Sequence, residues 1–480
     1  MRIAFTSTWQ KTDLFALLAK RLEAVGIQSA FIVTSAVYRQ KLLDQGFPAD
    51  TILYLRKDEA LRSPTFERDR RLMEDLESRS GEFAKNLVLM DRYVCSWPWE
   101  EQIRYAAYVT ARTAEFLDRL DVSIVTGEPS VAHDLLAVMV CRATGREYVA
   151  PFGLRLPVQR FMFWNGYKEG EFVTFGARIP AEVRSEFVEM AREIRDQIVV
   201  RRRKPDYFYR NSRAPRITPK FLYKVARGVN RALVQSRTDA NMYSLHDMVV
   251  KHKLHMRPVH YAAAKSQWKK LFEQPVAGEK FVLFTLHKQP EHSVDVQGAR
   301  FSNQYEMIKG IARELPADVR LYVKEHRNCL GDRSPSDLKK IKRLPGVRLI
   351  DPMVDAHELI VGSEAVVTIS GTIALEAALH GKRSLVFAND FLAGFSTSCR
   401  IDAPWEVAQS LARPAPKHDA DYDLHYLGWL LENSFEGILS DPVSSPECVS
   451  RENLDLLADA FQCLADKLTR VPLEVHEATS

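Results

Sequence analysis

Along the chain, short apolar runs of strand length alternate with stretches of helical period. MRIAFTS (1–7), IQSAFIVTS (27–35) and TILYL (51–55) are near-continuous apolar runs. Residues 12–25 and 38–45 carry apolar positions at helical spacing and stop at Gly26 and Gly46. Strands that are apolar on both faces belong to a parallel sheet covered by helices, so residues 1–55 predict a doubly wound α/β unit. No GxGxxG follows the first strand, so the dinucleotide fingerprint is missing. Residues 56–120 read as charged helices, ending in an amphipathic one over 103–120. VSIVTGEPS (122–130) is a strand running into a polar turn, 133–143 is a helix, and EYVAPFGLR (147–155) is a further strand.

The rhythm breaks over residues 165–270, where one long helix is expected at 179–200, and it returns at 280. KFVLFTLH (280–287), VRLYVKEH (319–326), VRLIDP (347–352) and the run 365–369 are strands separated by helices at 303–315, 334–343 and 356–361. The stretch AVVTISGTIALEAALHGKRSLVF (365–387) then gives strand, small-residue turn, short helix, glycine stop and strand, a complete parallel βαβ unit. The expected fold class is α/β: two Rossmann-like domains with parallel sheets, a basic helical middle and a helical tail. The expected division is 1–200, a basic insertion 201–275, 276–410, and C-terminal helices 411–480 packing back on the domains. The polar end of the tail is expected to lack structure.

Composition changes this picture little. The chain has 480 residues, enough for two cores, and a net charge of +5. No apolar run approaches the roughly 20 residues that cross a bilayer, and the start has no signal-peptide layout, so a cytoplasmic location is expected. The six cysteines form no CxxC pair, which argues against a zinc site or a disulfide framework. The charge is uneven, however. Residues 201–231 hold Arg201, Arg202, Arg203, Lys204, Arg210, Arg213, Arg216, Lys220, Lys224, Arg227 and Arg231 against Asp206 alone, with Tyr207, Phe208, Tyr209, Phe221 and Tyr223 interleaved. An anionic membrane surface, an anionic saccharide or lipid acceptor, or a solvated helical insertion would each explain this segment. Nucleic acid is not expected as a partner, because no recognition motif accompanies the charge.

Candidate chemistry gathers where apolar strands stop. One strand end gives Thr285, His287, Lys288, Gln289 and Glu291; a second gives Lys324, Glu325 and His326; a third gives Ser370, Gly371 and Thr372. In an open parallel sheet such ends line one crevice. The turn at 370–372 offers N–H groups and two hydroxyls where a helix dipole favours an anion, and Gly371 lets a ligand approach the backbone. Glu376 lies one turn further along the face of Thr372. These residues suit a nucleotide phosphate and ribose, although an ordinary capped crossover would also account for the stretch 365–387. No DxD triplet stands in a suitable loop and no His/Cys group has ligand spacing. Neither a metal nor any cofactor beyond a sugar nucleotide is expected. Glu128, just past a strand end in the first domain, is the first candidate for a base or nucleophile, with a helix-capping role as its alternative. Glu291 and His287 follow, and Gln289 and Arg155 are placed towards the acceptor.

LHKQPE (286–291), NQYEMIKGIARELP (303–316), LYVKEH (321–326) and TISGTIALEAALHGKRSLVF (368–387) together resemble the capsule polysaccharide biosynthesis family of glycosyltransferases, which includes bacterial transferases of 3-deoxy-manno-octulosonate (Kdo). The resemblance spans about residues 280–390. More distantly, the His plus Ser/Thr pairing is similar to that of bacterial CMP-sialic acid transferases. The resemblance implies a GT-B architecture, with donor nucleotide in the second domain and acceptor largely in the first. It implies Lys324, His326, Ser370 and Thr372 on the donor phosphate and Glu376 near ribose or base. Arg327 stands where the family usually has proline, which weakens the inference of donor identity. The expected function is transfer of a sugar, first of all an acidic sugar such as Kdo from a CMP donor, to a saccharide or glycolipid acceptor in bacterial capsule or lipopolysaccharide synthesis, with the enzyme in the cytoplasm or peripheral on the membrane. A UDP-sugar 2-epimerase-like enzyme and a non-catalytic membrane-associated export scaffold are the alternatives.

Overall fold

The apolar runs become two sheets in the computed structural model, which describes residues 1–155, 157, 159–203, 214–250 and 256–470. In the first half these runs form β1 (Arg2–Thr6), β2 (Gln28–Val33), β3 (Ile52–Tyr54), β4 (Ile124–Thr126), β5 (Glu147–Gly153) and β6 (Arg160–Asn165). In the second half they form β7 (Lys280–Thr285), β8 (Val319–Lys324), β9 (Val347–Ile350), β10 (Ala365–Thr368), β11 (Ser384–Val386) and β12 (Ser398–Arg400), and β13 (Phe435–Glu436) follows. The strand orders are β13-β6-β5-β4-β1-β2-β3 and β12-β11-β10-β7-β8-β9. The fold is thus mixed α/β with two parallel-sheet domains.

Register sets the level at which each strand ends. Phe284 pairs with Val323 on one side and Val367 on the other, so β7, β8 and β10 finish side by side. Phe5 likewise pairs with Thr126 and Phe31, which levels the ends of β1, β4 and β2. Side chains start several of the helices between strands. Asn303 accepts the N–H of Glu306, Ser334 that of Asp337 and Asp355 that of His357, each meeting a backbone donor that the helix itself leaves unpaired.

Three features depart from the sequence expectation. The first sheet is not wholly parallel: β6 runs antiparallel to β5, and β13 antiparallel to β6. The run Phe161–Trp164 is buried on both faces, so its apolar pattern carries no sign of direction. The helix expected at 179–200 divides into a short 3-10 turn, Pro180–Glu182, and the helix Ser185–Val199, because Val183 and Arg184 are extended. The tail supplies a strand as well as helices. After the second domain the chain returns, the helix Ala420–Glu432 packs on Ser185–Val199, β13 joins the first sheet, and the helix Arg451–Arg470 covers the helix Lys11–Ala24. Phe461 from that last helix packs at 5.0 Å on Phe163 and 6.1 Å on Phe5. Residues 204–213 of the basic segment, with Lys204, Asp206, Tyr207, Phe208, Tyr209, Arg210 and Arg213, lie outside the described residues, as does the polar end 471–480. Among the described residues no helix is long and apolar enough to cross a membrane.

Gly127 is required by packing. A Cβ there would overlap Thr6 Oγ1 and lie 2.5 Å from the Thr6 carbonyl oxygen at the end of β1. The substitution Gly127→Ala is therefore expected to destabilise the first domain by roughly 1–3 kcal/mol in urea unfolding. Unchanged stability would show that β1 and β4 can separate at their ends.

Candidate active site

The level ends of β7, β8 and β10 bring the three polar clusters of the second domain together. His287 lies buried beneath the turn at 370–372. Its Nε2 accepts the Ile369 N–H at 3.2 Å and lies 3.0 Å from Thr368 Oγ1, which in turn accepts the Gly371 N–H at 3.0 Å. Burial pushes the His287 imidazole down to about 3, and His326 and Arg333 add to the effect, so the ring is neutral. Its acceptor nitrogen is occupied, and its position supports the turn from below instead of facing solvent. Gln304 brackets the His287 backbone, accepting its N–H at 2.7 Å and donating to its carbonyl at 3.1 Å and to Gln289 Oε1 at 2.8 Å. A Cβ at position 371 would lie 2.7 Å from Thr368 Oγ1 and 3.1 Å from His287 Cε1, so a glycine lets the turn close over this pair.

The remaining second-domain residues divide between support and exposure. The Ser370 hydroxyl donates to the Ser293 carbonyl at 2.6 Å and is buried. Lys324 is buried and its Nζ donates to the Pro352 carbonyl at 3.0 Å. Thr372 makes no side-chain capping bond, and it and Glu376 are half-buried at one edge of the turn. His326 is half-buried. Its Nδ1 accepts the Asn328 N–H at 3.1 Å, which leaves the proton on Nε2. Burial and the Lys324 and Lys288 charges hold it down at about 4, so it is a neutral donor near pH 7. Glu325, which β8 turns inward, pairs with Arg333 at 2.7 Å, and Arg333 also donates to the His287 carbonyl at 2.7 Å.

Between the domains lies a cavity of about 430 Å³, within the range of ligand pockets. Its first-domain wall comes from the ends of β1 and β4 (Thr6, Thr8, Trp9, Lys11, Glu128, Ser130) and from Arg92. The second domain contributes Lys288, Pro290, Glu291 and His292 from the end of β7, and the segment after β13 adds Leu439, Ser440 and Asp441. Glu128 and Glu291 therefore face one space from opposite sides. Glu128 forms an ion pair with Lys11, whose ammonium burial lowers to about 8 while Asp441 and Asp134 pull the other way. Glu291 accepts a hydrogen bond from Ser293 Oγ at 3.1 Å. Arg92 and Lys288, one from each domain, also line the cavity, and among the described residues neither forms an ion pair with a carboxylate. His292 packs on Phe152 at 4.8 Å and is pushed down to about 3 by burial and by Arg155, Arg92 and Lys11. Among the described residues no group of three His, Cys, Asp or Glu side chains is placed to hold a metal ion.

Arg155 does not line this cavity; it ties the domains together behind it. Its guanidinium donates to both oxygens of buried Glu169 at 2.9 and 2.7 Å and to the Ser370 carbonyl at 2.7 Å. Asn389 Nδ2, from the second domain, donates to Glu169 at 2.8 Å, and the Glu169 N–H donates to Gln297 Oε1 at 3.0 Å.

Sequence reasoning missed Lys11, Arg92, Trp9, His292 and Asp441 in the cavity wall, and Glu169 behind it. Lys11 and Trp9 follow the first strand closely enough for the strand-end rule to have flagged them. Arg92, Glu169 and Asp441 sit far from any strand end of the parallel pattern and carry no such signal.

No family model matches the chain, and no curated protein does. Solved structures that match the chain are distant from it. The β-Kdo 2,7-transferase KpsC of Thermosulfurimonas dismutans is 10% identical over 73% of this chain and 90% of that one, with a TM-score of 0.31. MnaA of S. aureus with UDP is 12% identical over 98% of both chains, with a TM-score of 0.25. UDP-GlcNAc 2-epimerase of Neisseria meningitidis bound to UDP-GlcNAc is 11% identical over 98% of this chain and 100% of that one, with a TM-score of 0.23. Scores this low carry no assignment of activity.

Two expectations follow from the electrostatics. Glu169→Gln keeps the shape but leaves the half-buried Arg155 without its counter-charge, so it is expected to destabilise the protein by up to about 3 kcal/mol in denaturant unfolding. A change below 1 kcal/mol would mean that the bridge is not held in solution. Asp134, buried 3.2 Å from His133 Nε2, is pushed up to about 7 by burial. Its folded pKa exceeds its unfolded value, so the stability it contributes is present below pH 4 and lost as pH rises through 7. His133, lowered to about 4, titrates below that range. From pH 5 to 7 the stability difference between Asp134→Asn and wild type should widen by up to about 1.4 kcal/mol per pH unit, then level off. A constant difference would show Asp134 already ionised in the fold.

Proposed function

We propose that this protein is a sugar-nucleotide-dependent glycosyltransferase of GT-B architecture acting in bacterial surface polysaccharide synthesis, with a CMP-linked acidic sugar such as Kdo as donor and a saccharide or glycolipid as acceptor. The observation that carries the reading is an interdomain cavity flanked by carboxylates from two domains and lined by the cations Arg92 and Lys288, one from each domain. The donor nucleotide lies along the ends of β7, β8 and β10. His326 Nε2–H, Lys288 and the Thr372 hydroxyl meet the phosphate, and Glu376 meets the ribose or base. His287, Ser370 and Lys324 act one layer behind, holding the turn and the strand ends in place.

In direct displacement the acceptor hydroxyl attacks the anomeric carbon and gives its proton to Glu128. The carbon–oxygen bond to phosphate breaks and the electron pair leaves with the nucleotide. Cations and N–H groups already aimed at the phosphate lower the barrier, because they need not reorganise as charge develops. Lys11 keeps Glu128 oriented towards the cavity. Glu291 is the second carboxylate. In a retaining course one of the two would attack the sugar and form a covalent intermediate.

The same wall supports a second reading. Glu128, Glu291 and Asp441 with Arg92 make the set of several carboxylates and an arginine that a UDP-sugar 2-epimerase-like reaction would need around one sugar. Incubation with a sugar nucleotide and no acceptor separates the two: an epimerised sugar nucleotide favours the second, and turnover only on adding acceptor favours the first.

A thermal-shift series with CMP, UDP, GDP and ADP should show the largest rise with CMP, since a ligand of the native state alone raises its melting point. Glu128→Gln should lose at least about a hundredfold in transfer rate with nucleotide affinity unchanged. His326→Ala should weaken the nucleotide about tenfold by calorimetry. A wild-type protein unmoved by all four nucleotides would overturn the reading.

A further inference from the structure

The helix Pro219–Val234 is the one feature of the sequence that the transfer reading leaves unused. Its buried side is narrow, with Phe221, Val225, Gly228 and Ala232 turned inward at helical spacing. A second apolar stripe faces outward. Leu222 is 57% exposed, Tyr223 65%, Leu233 55% and Val234 66%. Beside that stripe stand Lys220, Lys224, Arg227 and Arg231, and the helix holds no acidic residue. Thr218 caps its start by accepting the Phe221 N–H at 3.1 Å, with Pro219 in the first turn, so the helix begins at a fixed point.

We propose that this outward face is a docking surface for an anionic lipid bilayer. Exposed leucines beside a one-sign cationic row form the pattern of an interfacial helix, whose apolar side enters the headgroup boundary while its cations meet lipid phosphates. A protein partner would have to bring both an apolar groove and an acidic rim; an anionic bilayer presents both everywhere on its surface. The helix is anchored to the first domain. Asp239, just after it, accepts from Thr34 at the end of β2 at 2.9 Å, and Lys57 N–H donates to the Thr238 carbonyl at 2.9 Å. Tyr243 lies 4.3 Å from Tyr93, which lies 5.8 Å from Trp9 of the cavity wall. Adsorption would therefore hold the first-domain side of the cleft near the lipid surface. The docking surface itself stands independently of the sugar-transfer reading.

The test is co-sedimentation of the full chain with vesicles of phosphatidylcholine alone and with about 30% phosphatidylglycerol at rising salt. Expected is binding to the anionic vesicles that weakens with salt, with little on phosphatidylcholine. Lys220→Gln/Lys224→Gln/Arg227→Gln should lower partitioning on the order of a hundredfold, about fivefold per charge. Leu222→Ser/Leu233→Ser should also weaken binding, with melting temperature unchanged in both variants because the positions are exposed. Equal binding to both vesicle types, no binding to either, or wild-type binding by both variants would overturn the proposal. So would tighter, equally salt-sensitive binding to a single-stranded oligonucleotide than to the anionic vesicles.

Discussion

One buried carboxylate bridges the two domains beside the cleft. Glu169 receives two bonds from Arg155 of its own domain and one from Asn389 of the other, and the same Arg155 reaches the carbonyl of Ser370. Burial alone would push the Glu169 carboxyl up and neutralise it; the Arg155 guanidinium works against that shift. Arg155 and Asn389 both adopt left-handed backbone, with φ of 70° and 73°. Each such conformation costs on the order of 1–3 kcal/mol in a residue other than glycine. The two outliers converge from opposite domains on one carboxylate, and that convergence gives the strain a purpose. It places a guanidinium against the turn on which the second-domain site is built.

That arrangement separates residues that touch a ligand from residues that hold those in place. The motif positions at the ends of β7 and β10 read in sequence as one polar group. In space His287 and Ser370 are spent on Thr368, Ile369 and Ser293, whereas Lys288 lines the cavity and Thr372 stays half-buried at the edge of the turn. A run such as LHKQPE contains both kinds because neighbours in a loop after a strand point in different directions. Residue type alone does not distinguish them: an imidazole buried among N–H donors and one at a surface have the same letter.

What the sequence made legible follows from how locally each feature is determined. The strands of the second domain are apolar on both faces, and their carboxyl ends could be named from the chain alone, although only the end of β7 reaches the cavity wall. Glu128 was legible for the same reason, since Thr126 ends β4 and Gly127 must pack on Thr6. The antiparallel edge of β6 and β13 was not, because FMFW has the same alternation in either direction and its partner lies some 270 residues further on. The bridge through Glu169 was hidden for a similar reason. A carboxylate after a Tyr-Lys pair is ordinary surface chemistry until the fold carries Asn389 to it across 220 positions.

The route of the chain limits how the cleft can open. After the second domain the polypeptide returns, and the returning segment is not a loose tail. The helix Ala420–Glu432 packs on Ser185–Val199, β13 enters the first sheet and the last helix covers Lys11–Ala24, the helix that carries the cavity lysine. Two stretches of chain therefore join the domains, one through the basic middle and one before the last helices. Any hinge motion must bend both together, and the Glu169 bridge resists it from within. A hinge motion that parted the domains would also part Glu128 from Glu291, which line the cavity from opposite sides.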